Sequence, residues 1–158
     1  MNAKTKKIEI LYKHDKEVRD WMARQLPGQA VDEIEKYTAL GVTSDGEIIA
    51  AFLFYNYFKA YGTMELGMAT TSPMWANKET MAGLFGYPFY QLGVNKLWAA
   101  IAADNVKAIK TAEHAGFKRE TELEDHYGPN KPAVLLRILR REFIGSPGKG
   151  ETFSQNVH

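Results

Sequence analysis

The segment DNVKAIKTAEHAGF, residues 104–117, decides the fold assignment of this chain. It opens with an asparagine, repeats small residues at helical spacing and closes with Gly-Phe. This pattern predicts a helix over residues 105–115, with Gly116 in the left-handed conformation that glycine adopts easily after a helix end. One face of this helix is narrow because it carries Ala108, Ile109, Ala112 and Ala115. Such a face lets a helix approach closely either a β-sheet or a slender ligand.

Strands are predicted on both sides of this helix. The apolar run KLWAAIA at 96–102 precedes it, and KRETEL at 118–123 follows it. A further strand is predicted in AVLLRILRREF, residues 133–143, after the loop EDHYGPNKP. Strand-helix-strand units within one sheet cross over with a right hand, so we expect that hand here.

The N-terminal part of the chain predicts a strand, a helix and a hairpin. KIEILY at 7–12 alternates polar and apolar residues, as half-buried strands do. A helix over 15–26 follows, with Asp15 as its cap and Pro-Gly after its end. Residues 31–37 are ambiguous and are interpreted as a short helix. TALGVT and EIIAAFLFYNYF then flank Ser-Asp-Gly, which suits a tight turn.

Two more elements complete the order. Residues 63–70, TMELGMAT, predict a strand in which Gly67 marks either a bulge or the close approach of a ligand. A second helix is predicted over 77–93, capped by Asn77 and kinked near Pro88. The order β-α-(α)-β-β-β-α-β-α-β-β predicts an α/β fold with a sheet of mixed direction.

The composition is that of an ordinary globular domain, with 45% hydrophobic and 25% charged residues among 158. We predict a single domain over 1–144, followed by a flexible, Gly-, Pro- and polar-rich tail at 145–158. The count of 0 Cys excludes disulfides and cysteine-zinc sites. A net charge of +1 argues against nucleic-acid partners. No apolar run has the length of a signal peptide or membrane span, so a cytoplasmic location is expected.

The segment at 104–117 resembles the Asn-x-x-Ala/Ser…Glu-Lys-x-Gly-Phe segment of GNAT N-acetyltransferases. The preceding LFGYPFYQLGVNKLWAAIA resembles their helix-to-strand passage, and KRETEL resembles the strand that follows. The resemblance covers about 40–143 and is most specific over 84–122. It is strongest to the branch of ribosomal-protein alanine acetyltransferases and to phage-encoded members. It implies the GNAT fold, a mixed and mostly antiparallel sheet that is splayed at its centre and flanked by helices.

By this resemblance, acetyl-CoA is the cosubstrate and lies in an opening between two parallel central strands. Backbone groups of Met68, Ala69 and Thr70 would then contact the pantetheine arm. Asn105 matches the family asparagine whose side chain hydrogen-bonds that arm, although it also suits a helix N-cap. Ala108 would leave room for the arm.

The pyrophosphate loop departs from the family pattern. Relatives carry glycines before the second helix, where this chain has SPMWANKETM, with Pro73 and Trp75 at the glycine positions. Proline donates no hydrogen bond. The helix N-terminus remains as an anion site, and the side chains that could contact phosphate there are Asn77, Lys78 and Thr80.

The usual catalytic residues are also replaced. Ala112 stands where many relatives carry a tyrosine acid, and Ala100 stands where some carry a glutamate base. Glu65 is the remaining candidate base, either catalytic or simply a solvated strand residue. His126 and Tyr127, in the loop between the last two strands, are candidates for contact with the acceptor substrate. No metal-ligand spacing is present among the histidines and carboxylates.

The resemblance implies an N-acetyltransferase that moves an acetyl group from acetyl-CoA to a primary amine by direct attack in a ternary complex. The acceptor would be a protein N-terminus, a lysine or a small amine, and the protein would form a homodimer, as is common in the family. Two alternatives stay open. The scaffold has lost catalysis and serves as a binding module, or it modifies nucleic acid, which a salt-sensitive DNA or RNA affinity would reveal.

Overall fold

A computed structural model of the chain describes residues 5–144. The predicted tail at 145–158 lies outside the described residues. The strands are β1 (Ile8–Leu11), β2 (Tyr37–Ser44), β3 (Glu47–Phe58), β4 (Thr63–Thr70), β5 (Lys96–Ala102), β6 (Lys118–Leu123) and β7 (Ala133–Leu139). The helices are α1 (Asp15–Gln25), α2 (Lys78–Gly86), α3 (Val106–His114) and α4 (Arg140–Ile144). Short 3-10 turns occupy Val31–Glu33 and Pro73–Trp75, and a π-helical turn occupies Tyr87–Gln91.

Two compact units make up the chain. Among the described residues, the first contains 5–55 and 68–84, and the second contains 56–67 and 85–144. Strands β3 and β4 therefore each contribute residues to both units. The strands are mostly antiparallel, as the sequence predicted: β1 with β2, β2 with β3, β5 with β7 and β6 with β7.

The first unit has its core between α1 and the β2–β3 hairpin. Val18 and Met22 of α1 pack in one cluster with buried residues of these strands and with Ala69 of β4. Asp15 does not cap α1 through its side chain, contrary to the sequence prediction, because the N-cap is His14 and it makes no side-chain cap bond. The carboxylate of Asp15 instead accepts a hydrogen bond from the backbone N–H of Ala39 in β2, at 3.0 Å.

The second unit contains β5, β7 and β6 together with α3. Its aromatic core includes Phe89 and Phe143, stacked with centroids 5.1 Å apart, and Phe85, which meets Phe117 edge to face. Gly116 follows α3 with φ of 109°, which confirms the predicted left-handed position.

Two predicted element boundaries were wrong. The helix predicted over 77–93 ends at Gly86, and the expected kink at Pro88 is a π-helical turn, closed by the Leu92 N–H donating to the Tyr87 carbonyl. The strand predicted over 133–143 ends at Leu139, where α4 begins. Glu142 supports this start, since its carboxylate accepts from the Leu139 N–H at 3.1 Å.

The parallel pairing of β4 with β5 lies within the second unit and is short. It joins Thr63–Glu65 to Lys96–Trp98, three residue pairs. Strand β5 continues to Ala102 and pairs with β7 over its whole length. The two parallel strands therefore stop pairing after Glu65 and Trp98, which is the pattern expected of the splayed sheet.

Removing the Asp15 carboxylate should destabilise the protein. Ala39 is fully buried, so Asp15→Ala leaves its N–H without an acceptor, which costs about 1–3 kcal/mol of unfolding free energy. Asp32→Ala, the same change at an exposed position, should stay within about 0.5 kcal/mol. Urea denaturation of both variants measures the difference, and equal losses would contradict the role of the Asp15 bond.

Candidate functional site

The three β4 residues predicted to contact the cofactor belong to the first unit. Ala69 is buried in the core cluster with α1, whereas Met68 and Thr70 are half-buried. Because side chains alternate along a strand, Met68 and Thr70 point to the face opposite Ala69. Just beyond β4, the Thr71 N–H donates to the Ile49 carbonyl at 2.8 Å, which ties the end of β4 to β3.

The turn before α2, also in the first unit, is closed by its own side chains. The Ser72 hydroxyl accepts from the Met74 N–H, and the Asn77 side chain accepts from the Thr80 N–H at 2.8 Å. Asn77 therefore caps α2, as predicted. Trp75 is fully buried and meets Phe52 edge to face, with ring centroids 4.9 Å apart.

An indole anchored in the core thus occupies the segment before α2, which contains no glycine between Ser72 and Asn77. Of the residues predicted to contact phosphate, Lys78 is exposed, whereas the side chain of Thr80 is 6% exposed. The N-terminus of α2 consequently offers an exposed ammonium group rather than a flexible glycine loop.

The narrow face of α3, in the second unit, was predicted to allow either close packing against a sheet or the approach of a slender ligand. Ile109, Ala112 and Ala115 are buried, so this part of the face serves packing. Ala108 is half-buried at the helix start. The Asn105 Oδ1 caps the helix by accepting from the Ala108 N–H at 3.2 Å. The Asn105 amide nitrogen has no partner within residues 5–144 and can donate to a ligand.

Glu65 and Tyr127, predicted separately, come together in the second unit. Glu65 is the last β4 residue that pairs with β5. The Tyr127 hydroxyl donates to the carbonyl of Ala100, two residues beyond Trp98 on β5, at 2.7 Å. Burial raises the pKa of the Tyr127 phenol, and the negative charge of Glu65 raises it further. Tyr127 therefore stays protonated at neutral pH beside a carboxylate.

Two further residues complete this cluster. His126 meets Tyr127 edge to face, with centroids 4.8 Å apart. The Asn56 Nδ2 donates to the Glu65 Oε1 at 2.8 Å. Asn56 was not among the predicted site residues. The sequence does contain a signal, a single asparagine inside the aromatic run FLFYNYF. Asparagine is uncommon in strands, so its presence there could have indicated a specific role.

Within residues 5–144, no group of three or more histidine, aspartate or glutamate residues could hold a metal ion. No helix in this range is long and apolar enough to cross a membrane.

A family model described as "Acetyltransferase (GNAT) domain" matches residues 4–118. The chain therefore belongs to the GNAT acetyltransferase family, and its fold is the GNAT fold. The comparison with curated protein sequences finds no match.

Several solved structures share this fold. A chimera of the spermidine N-acetyltransferase SpeG from Vibrio cholerae and hSSAT aligns with a TM-score of 0.69 at 14% identity, covering 88% of this chain and 99% of that one. A SpeG mutant from the same organism aligns with a TM-score of 0.69 at 14% identity, covering 87% and 96%. A candidate ribosomal-protein-serine acetyltransferase from Vibrio cholerae aligns with a TM-score of 0.60 at 12% identity, covering 86% and 95%. At these identities the likeness concerns the fold alone.

The charge of Glu65 should be visible in the titration of Tyr127. Phenolate formation beside a carboxylate is unfavourable, so Glu65→Gln should lower the pKa of Tyr127 toward the ordinary tyrosine range. The measurement is an alkaline ultraviolet difference titration, with Tyr127→Phe identifying the signal of this ring. An unchanged titration in Glu65→Gln would show that the two groups do not interact.

Proposed function

We propose that this GNAT acetyltransferase moves an acetyl group from acetyl-CoA to a primary amine, with Glu65 as the proton acceptor. The observation that supports this most is the cluster at the end of the β4–β5 pairing. It combines the Glu65 carboxylate with the protonated phenol of Tyr127, which is fixed to the backbone of β5. A carboxylate can take a proton from an attacking amine, and such a step contributes about 10²–10⁴-fold to rate.

Two residues at the start of α3 support the proposal that the cofactor binds there. Asn105 retains an amide donor after capping its helix, and Ala108 leaves a shallow, half-buried surface beside it. We propose Asn105 as a contact of the pantetheine arm. The backbone groups of Met68, Ala69 and Thr70 are proposed separately as cofactor contacts. Lys78 would bind the phosphates by charge, with Asn77 and Thr80 supporting the start of its helix.

In the proposed reaction, the amine nitrogen bonds to the acetyl carbon and the carbon–sulfur bond breaks. The nitrogen proton passes to Glu65, directly or through a water molecule, and the departing thiolate takes a proton from solvent. Tyr127 and His126 would orient the amine, the hydroxyl oxygen of Tyr127 by accepting a hydrogen bond. Most of the acceleration in such an attack comes from orientation, which is worth roughly 7–11 kcal/mol in favourable cases.

The acceptor is proposed to be a small amine or a protein amine. A first panel would contain spermidine, which appears in the name of a structural neighbour, together with lysine and serine- or alanine-initiated peptides. Release of free CoA thiol reports turnover. Saturable acetyl-CoA binding without turnover of any amine would instead favour a binding module, and a salt-sensitive affinity for DNA or RNA would favour a nucleic-acid substrate.

We further propose that the protein is cytoplasmic, that it is related to phage-encoded members of the family and that it forms a homodimer. Sedimentation at several protein concentrations tests the dimer directly.

Asn105 variants should separate cofactor binding from helix capping. Asn105→Asp keeps an oxygen that accepts from the Ala108 N–H but removes the amide donor, so acetyl-CoA binding should weaken about tenfold while stability is kept. Asn105→Ala removes both functions and should also lower stability by about 1 kcal/mol. Calorimetric titration and thermal unfolding measure the two effects. Wild-type affinity in Asn105→Asp would contradict the ligand role.

Glu65→Gln should reduce kcat/KM for the amine by about 100-fold, as expected for loss of a general base. The KM for acetyl-CoA should stay unchanged. The matched control is Glu122→Gln, at an exposed position on β6, which should keep full activity. If Glu65→Gln retains full activity, Glu65 is not the proton acceptor.

A further inference from the structure

Asn56 is the only residue in a strand of residues 5–144 with a left-handed backbone. Its φ is 50°, and the other non-glycine residues with positive φ in this range lie in turns or loops. The pairing of β3 with β2 ends at the preceding residue, Tyr55, opposite Tyr37. Strand β3 nevertheless continues to Phe58, so the left-handed residue changes the side-chain direction at the point where the β2 ladder stops.

Few residue types occupy this backbone conformation readily. Glycine, asparagine and aspartate do so with the least strain. Among these three, glycine has no side chain and aspartate would place a second negative charge beside Glu65. Asparagine alone both tolerates the backbone and supplies an uncharged donor.

The bond that Asn56 makes has a defined direction. A carboxylate only accepts hydrogen bonds, so the amide nitrogen of Asn56 must face Glu65 Oε1, at 2.8 Å. A bond from a neutral amide fixes the carboxylate in place. Unlike a lysine or arginine partner, it does not cancel the negative charge that would attract a proton.

We infer that Asn56 is a positioning residue, which uses its left-handed backbone to hold the Glu65 carboxylate in the orientation needed to accept the proton of the amine. This inference rests on the proposed function and extends it to a residue outside the motifs of the family. Asn56 acts through Glu65 and need not touch the substrate.

The test compares two replacements that the left-handed backbone accepts. Asn56→Gly keeps the conformation and removes the donor, so kcat/KM for the amine should fall about tenfold, as expected for a lost hydrogen bond to a charged group. Asn56→Asp keeps the shape and adds a charge. The KM for acetyl-CoA should be unchanged in both, because neither change touches the proposed cofactor contacts.

The rate–pH profile distinguishes positioning from a structural role. The acid limb should move to higher pH in Asn56→Asp, because two neighbouring carboxylates are protonated more readily than one. The control is Asp45→Gly, another left-handed residue with φ of 49°, in the β2–β3 turn; its profile should match the wild type. Amide hydrogen exchange should confirm that all three variants keep the native fold.

The outcomes separate the inference from the proposal on which it rests. Wild-type kcat/KM and pH profile in both Asn56 variants, together with a large loss in Glu65→Gln, would overturn the role of Asn56 alone. A fall in rate in Asn56→Asp without any movement of the acid limb would also overturn it, since it would indicate a structural effect. A Glu65→Gln variant with wild-type activity would overturn the proposed base and the inference together.

Discussion

The short parallel ladder between β4 and β5 is the constraint on which the site of this protein depends. Parallel strands in most α/β folds pair along their length and are covered on both faces. Here pairing stops after three residue pairs, while β7 holds β5 in place over its whole length from the other side. Beyond Trp98, the backbone of β5 no longer pairs with β4 but stays paired with β7. The Tyr127 hydroxyl donates to the carbonyl of Ala100 in this part of β5.

Helix α3 shows how much the sequence could predict. Its start at Asn105, the buried alanines and the left-handed Gly116 all follow from local chemistry: an amide that caps, small side chains that permit close packing, and a residue without a Cβ. These effects act between residues close together in the chain, so one segment of sequence was enough to predict them. The family resemblance rested on the same segment, and the GNAT assignment is confirmed by the family model.

The features that the sequence did not reveal are those decided by single polar contacts, some local and some between residues distant in the chain. Asp15 lies where a helix cap is expected, yet its carboxylate serves the Ala39 N–H on β2. The apolar run after Leu139 has strand character, but Glu142 turns it into α4 by binding the Leu139 N–H. Asn56 and Glu65 come together only when β3 and β4 fold back on each other. In each case one polar bond with a specific geometry outweighed an average preference of the residue type.

The buried part of the α3 face also limits what changes this protein could accept. Ala112 is fully buried. A tyrosine ring introduced there would overpack the interior, at a cost of typically 1–3 kcal/mol or more, instead of reaching a ligand. Installing a phenolic acid at this position by a single substitution is therefore blocked by packing, and neighbouring residues would have to become smaller as well. The packing of α3 thus limits which catalytic groups this helix can present.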